Sequence, residues 1–252
     1  VNNASTDGTK EYLDEVANNQ IGVLHLEENM GGAGGFYYGM KKAYKEGADL
    51  IWIMDDDTIP TEDALENLLY AHETFHGEYG FLASDVRWMD GSCCIMNQVH
   101  KLDKVVETYD RIDTATFVSL LIPRETVEKI GLPIKEYFIW GDDKEYTLRA
   151  SDYKPSYFVP ASKVIHKMKS NFGSNISTDD LERVGRYFYA YRNDYVTAKK
   201  RGAKSLFIYY AGFALNFLRV ILKSEKGKKE RIEVMKKGLS EGRRFHVKEE
   251  MI

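Results

Sequence analysis

Three consecutive carboxylates, Asp55, Asp56 and Asp57, follow the apolar run LIWIM at residues 50–54. Like charges side by side repel, so open water or a bound cation must compensate them. On an extended backbone, side chains alternate with period two. Asp55 and Asp57 would then share one side, with Asp56 on the other. Two carboxylates together at the C-terminal end of a strand make a hard oxygen site. Mg²⁺ suits such partial sites, keeping waters and sharing itself with substrate phosphates. In open α/β sheets, ligands bind beyond the carboxyl ends of strands. The same three residues also read as a solvated acidic loop capping the next helix.

Three further groups could join them. The segment NMGGAGG at residues 29–35 could bring backbone close to a phosphate or sugar before a helix N-terminus. It lacks dinucleotide-fold spacing and a Walker A lysine, and a flexible turn explains it equally well. The segment WGDDKEYTLR at residues 140–149 is a second acidic site. One of Asp142 and Asp143 could cap a helix; a carboxylate near Trp140 could have a raised pKa and act as a general base. Glu145 and Arg149, at i,i+4 spacing, read as a structural pair. His166, at a strand exit, is a metal ligand only if it folds back toward Asp55 and Asp57.

The elements that must position these groups alternate. Residues 5–9 are turn and N-cap chemistry, and KEYLDEVANN reads as a helix. IGVLHLEE reads as a strand, the glycine segment as a loop running into a helix that ends near Gly47, and DLIWIM as a buried strand. TEDALENLLYAHETF carries a capping signal and a helical apolar stripe. This order predicts an α/β domain with a largely parallel sheet. YGFLASDVRW, TATFVSLLIPRE and SYFVPASKVIHK read as further strands, and the chain beyond about residue 180 as helical.

The 252 residues, 43% hydrophobic, suffice for one α/β domain with an appendage. Net charge is −4, but residues 195–252 carry 15 Lys+Arg against 6 Asp+Glu. An acidic body with a basic tail predicts that the tail meets something anionic or is simply solvated. The apolar segment SLFIYYAGFALNFLRVILKS, interrupted by Asn216 and Arg219, reads as a buried or interfacial helix rather than a span. The basic stretch after it could rest on anionic headgroups. Adjacent Cys93 and Cys94 have neither disulfide geometry nor zinc spacing, and read as reduced, packed thiols of a cytosolic protein.

In their order along the chain, VNNASTDGT, NMGGAGGF, WIMDDD, FIWGDDKEYTLR and VIH together resemble family 2 glycosyltransferases of the GT-A fold. The bacterial galactofuranosyltransferase and rhamnosyltransferase branch is the nearest match, and the resemblance covers about residues 1–170. It implies a GT-A, Rossmann-like α/β fold with a mixed central sheet over residues 1–175, and a basic helical extension over 176–252. The family's first strand and helix would precede residue 1, because the chain opens on what reads as a strand end and its turn.

The resemblance also implies inverting transfer of a sugar, galactofuranose or rhamnose, from a UDP- or dTDP-linked donor. The acceptor would be a glycan or lipid-linked hydroxyl in cell-surface polysaccharide synthesis. Asp55 and Asp57 map onto the metal and diphosphate site, with His166 as third ligand to Mn²⁺ or Mg²⁺. Asp143 maps onto the catalytic base, and Asp142 onto a group that orients the acceptor. Asn2, Asn3, Ser5, Asn29, Gly31, Gly32 and Asp56 are expected along the donor, and Trp140 and Gly141 along the acceptor. The expected location is cytoplasmic, with peripheral membrane contact through the basic C-terminal region and no nucleic-acid partner. The alternative is an inactive nucleotide-sugar or carbohydrate-binding protein.

Overall fold

The computed structural model describes residues 1–252, which divide into two compact units. The first comprises residues 1–138, 143–171 and 249–252; the second comprises residues 139–142 and 172–248.

In the first unit, helix α1 (Thr9–Val16) and helix α2 (Gly31–Lys45) precede strand β1 (Leu50–Ile53). Strand β2 (Thr58–Pro60), helix α3 (Ala64–Thr74) and strand β3 (Leu82–Trp88) follow. A hairpin of β4 (His100–Val106) and β5 (Tyr109–Thr114) leads to β6 (Leu120–Pro123), α4 (Arg124–Ile130), α5 (Asp142–Tyr153) and β7 (Ser156–His166). The sheet runs β1-β6-β3-β7-β5-β4, with β2 added against β7.

Successive β6 side chains serve opposite faces, as the two-residue period requires. Leu120 and Ile122 join a core with Tyr37 and Met40 of α2 and Tyr146 and Ala150 of α5. Leu121 joins the other core, with Leu68 and Ala71 of α3. Each such aliphatic side chain contributes about 1.5–3 kcal/mol of burial. Helices therefore cover both faces of the sheet.

The sheet is mixed, and the largely parallel arrangement predicted from alternation is not what forms. Only β3 and β7 pair in parallel; β1 with β6, β6 with β3, β7 with β5, β7 with β2, and β4 with β5 are antiparallel. The reason is that β6 inserts between β1 and β3 after a hairpin rather than after a crossover helix. Two antiparallel steps restore direction, so β1, β3 and β7 all point the same way. Their C-terminal ends lie along one edge, where ligands bind in open sheets.

Two other expectations change. Residues 21–28 form no strand, only an isolated bridge in which Asn2 N–H donates to Leu24 O and Leu26 N–H to Asn2 O. The glycines at 31–35 are not a loop but the first turn of α2.

The second unit contains helices α6 (Leu181–Val184), α7 (Tyr187–Lys200), α8 (Ala203–Lys223) and α9 (Lys228–Gly242). Ile176, Tyr187, Tyr191, Val220 and Met235 form its core, with Trp140, Phe213 and Phe217 packed against it. Arg231 of the basic segment is buried and donates to the carbonyls of Ile176, Asp179 and Lys226. That cation is structural.

Candidate active site

Asp55, Asp56 and Asp57 leave the end of β1, and β2 hooks them against β7. Thr58 pairs with His166, and Lys167 N–H donates to Asp57 O at 2.9 Å. Asp56 is exposed, as alternation predicts, while Asp55 and Asp57 turn toward His166. His166 Nε2 lies 2.9 Å from Asp57 Oδ1 and 3.8 Å from Asp55 Oδ2. One ligand atom from each of the three residues lies within 4.8 Å of the others.

The other ring nitrogen fixes the chemistry of this cluster. His166 Nδ1 is 2.9 Å from Asn97 Oδ1. That amide oxygen also accepts from the Cys94 thiol at 2.8 Å, while Asn97 Nδ2 donates to Thr116 Oγ1 at 3.0 Å. The network orients the amide with its oxygen toward the ring, so Nδ1 carries a proton. With Nδ1 so engaged, Nε2 faces two carboxylates that accept when ionised. A proton or a cation must lie between them. Two oxygens and one imidazole nitrogen fit a divalent ion; adjacent ligands at bonds of about 2.1 Å stand about 3 Å apart.

Burial pushes the Asp55 carboxyl up to about 6. The charge of His166 opposes this, and those of Asp57, Asp56 and Asp143 add to it. The Asp143 carboxylate makes the smallest of these contributions. It stands in the first turn of α5, where its Oδ1 accepts the Lys144 N–H at 2.7 Å. A buried fork fixes that helix: Arg149 Nε and Nη2 donate to Glu145 at 2.8 and 2.9 Å, and its guanidinium also donates to the carbonyls of Ile130 and Leu132. The structural reading of this pair holds.

Asn2, Asn3, Asn29 and their neighbours form a lattice of their own. Asn2 is buried; its Oδ1 accepts the Ser5 N–H at 3.0 Å and its Nδ2 meets His25 Nδ1 at 3.0 Å. Asn3 Oδ1 accepts the Met30 N–H, Asn3 Nδ2 donates to Gly31 O, and Asn29 Oδ1 accepts the Gly31 N–H. Ala33 N–H donates to Phe138 O at 3.1 Å. Several donors at the start of α2 are therefore already engaged. Gly31 has a packing role: its φ is +68°, and a Cβ there would lie 2.0 Å from Phe138 O. Gly32 and Ser5 are exposed.

Within the second unit, Trp140 (φ +63°) and Gly141 (φ +85°) take left-handed conformations. The fully buried Asn193 holds them, its Nδ2 donating to Ile139 O at 3.2 Å and Trp140 O at 2.7 Å. The Trp140 ring stands edge-on to Tyr187 at 5.0 Å. Asp142 is buried. Asn97 and Asn193 escaped the sequence reading; each acts on a motif through more than 50 residues of separation and belongs to no local pattern. Cys93 and Cys94 are both free, but only Cys94 is packed.

Residues 1–79 match the family model described as glycosyl transferase family 2. A curated relative, the galactofuranosyltransferase GlfT1 of Mycolicibacterium smegmatis, is 24% identical over 73% of this chain and 67% of its own length. Among solved structures, GalNAc-T7 with UDP, GalNAc and Mn²⁺ superposes with a TM-score of 0.51 at 15% identity, covering 91% of this chain and 48% of that one. TarS of S. aureus gives 0.51 at 12% identity over 95% of this chain and 36% of that one. Its residues 1–349 with UDP-GlcNAc give 0.50 at 13%, over 96% and 62%. The fold is that of the GT-A glycosyltransferases. The chain spans less than two thirds of each of these solved chains.

Proposed function

We propose that this chain is an inverting, metal-dependent glycosyltransferase acting in cell-surface polysaccharide synthesis. The donor is a nucleotide-diphosphate sugar, UDP-galactofuranose before dTDP-rhamnose, and the acceptor is a glycan or lipid-linked hydroxyl. The observation that carries this reading is the convergence of Asp55, Asp57 and His166 at the edge where β1 and β7 end. The curated galactofuranosyltransferase relative supports the sugar, and the UDP-bound neighbours support the nucleotide.

A divalent ion held by Asp55, Asp57 and His166 would neutralise the leaving diphosphate. Asp143 takes the proton from the acceptor hydroxyl, whose oxygen attacks the anomeric carbon from the face opposite the diphosphate. One displacement inverts the configuration and needs no covalent nucleophile. Asn3, Ser5, Asn29, Gly31, Gly32 and Asp56 border the donor, with Asn2 bracing that edge from inside. Trp140, Gly141 and Asp142 serve the acceptor.

Calorimetric titration of UDP and dTDP, with and without Mn²⁺, tests the site. Metal-dependent binding of UDP is expected, and metal-independent binding would sink the ligand set. Asp143→Asn should lower transfer from UDP-galactofuranose at least about 1000-fold while UDP binding stays within about twofold. Normal transfer by that variant would remove Asp143 from the base role.

A further inference from the structure

Helix α8 is apolar on two opposite sides. Its inner stripe, including Tyr209, Phe213 and Val220, packs within the helical unit. Tyr209 OH donates to Tyr191 O at 2.9 Å, and the Phe213 ring stands 5.4 Å from that of Tyr191. The outward stripe is just as apolar and meets nothing. Phe207 is 74% exposed, Ile208 60%, Leu215 49%, Leu218 54% and Leu222 78%. At 3.6 residues per turn these five side chains share one side of the helix. They form a strip about 22 Å long, counting about 1.5 Å per residue. A helix apolar all round belongs in a core or in lipid, and contiguous exposed patches of this kind mark an interaction surface.

Charge indicates which surface. Between residues 199 and 229 the chain carries nine Lys or Arg and a single acidic residue, Glu225. Lys199, Lys200, Arg201 and Lys204 flank the start of α8, while Lys223, Lys226, Lys228 and Lys229 flank its end, all exposed. Lys228 Nζ reaches back to Ile221 O at 2.7 Å, which folds the start of α9 onto the end of the strip. A second copy seated on the strip would set these cations against their own duplicates. An anionic lipid surface offers an apolar layer for the strip and phosphates for the lysines.

We propose that α8 lies in the plane of an anionic membrane surface, its outward side chains in the acyl boundary and its flanking lysines among the headgroup phosphates. By length and composition α8 is able to cross a bilayer. However, its inner stripe is held along its length by α7 and α9, which carry polar and charged side chains that a span would drag into hydrocarbon. In-plane insertion leaves that packing intact. The contact expected of the basic segment alone is thereby centred on α8. This inference does not depend on the sugar-transfer reading.

The test uses the full chain and vesicles of phosphatidylcholine with or without phosphatidylglycerol. Co-sedimentation with the anionic vesicles is expected, with little on phosphatidylcholine alone. The triple change Phe207→Ser, Leu218→Ser, Leu222→Ser should reduce binding at least tenfold. These side chains are exposed, so circular dichroism and UDP binding should be unchanged. Lys199→Gln, Lys200→Gln, Lys204→Gln should weaken binding severalfold and flatten its salt dependence. Absence of wild-type binding, or equal binding by the serine variant, would overturn the proposal. A wild-type dimer that the serine variant dissolves, with vesicle binding unaffected, would assign the strip to a second copy instead. Resistance of the native membrane-bound protein to alkaline carbonate extraction would overturn the in-plane placement.

Discussion

His166 works through both ring nitrogens, and only one of its partners was legible in the sequence. The Asp55 and Asp57 pair follows from alternation, and the histidine from its place at the end of a strand. Asn97 lies 69 residues before His166, in a segment with no periodicity, and nothing local marks it. On the proposed reading its amide oxygen accepts from Nδ1–H, which leaves Nε2 to face the ion. Removing such an outer partner typically costs about 10–100-fold in metal affinity. Asn97→Ala should therefore weaken Mn²⁺ binding by that factor in a direct titration, with the folded spectrum kept. Unchanged affinity would leave Asn97 a loop brace only.

Asp55 yields a second prediction, for the chelated protein. Its folded pKa of about 6 lies above its ordinary value of 3.8. Between those values the unfolded chain releases this proton while the folded chain keeps it. This contribution to stability therefore falls as pH rises from about 4 to about 6, and then stays flat. Because the Asp55 side chain is 38% exposed, solvent screening reduces the full linkage value. A net penalty of about 1–2 kcal/mol is expected at neutral pH. Asp55→Asn should be more stable than the parent by that amount in urea at pH 7 with chelator present. The two should converge near pH 4, and a parent that is the more stable at pH 7 would contradict the assignment.

Among the elements, the helices and long strands follow their apolar periods, and Ala64–Thr74, Leu82–Trp88 and Ser156–His166 form where the sequence places them. Strand direction was not legible. Alternating elements suggest crossovers, and no local pattern reveals that β6 slots between β1 and β3. The glycines were misread for a related reason: in sequence they look like a loop, and only the Phe138 carbonyl shows why Gly31 has no side chain. Gly31→Ala combines a φ of +68° with a Cβ 2.0 Å from that oxygen. Strain of about 1–3 kcal/mol and displacement of the α2 N-terminus should follow. At about 2–4 °C per kcal/mol for a chain of this size, the melting temperature should fall by several degrees. Gly32→Ala, where a Cβ meets open space, should leave it nearly unchanged. Equal behaviour of the two variants would remove the steric account.

For the whole molecule, chain order and compact units do not coincide. Residues 139–142 of the WGDD segment belong with the helices, while Asp143 onward belongs with the sheet. Sequence reading works with contiguous stretches, and a single division near residue 175 does not address this exchange. The proposed metal ligands Asp55, Asp57 and His166 all fall in the first unit, as do Asn3 and Asn29. A ligand that binds only the folded state stabilises it by about 2.7 kcal/mol at a hundredfold excess over its Kd. UDP with Mn²⁺ at that excess should therefore raise melting by about 5–10 °C, at about 2–4 °C per kcal/mol. Hydrogen exchange should localise the added protection. Slower exchange is expected around β2, the end of β7 and the start of α2, and little change along the outward side of α8. Protection confined to α7–α9, with the sheet edge unaffected, would place nucleotide binding in the helical unit and refute the site at the strand ends.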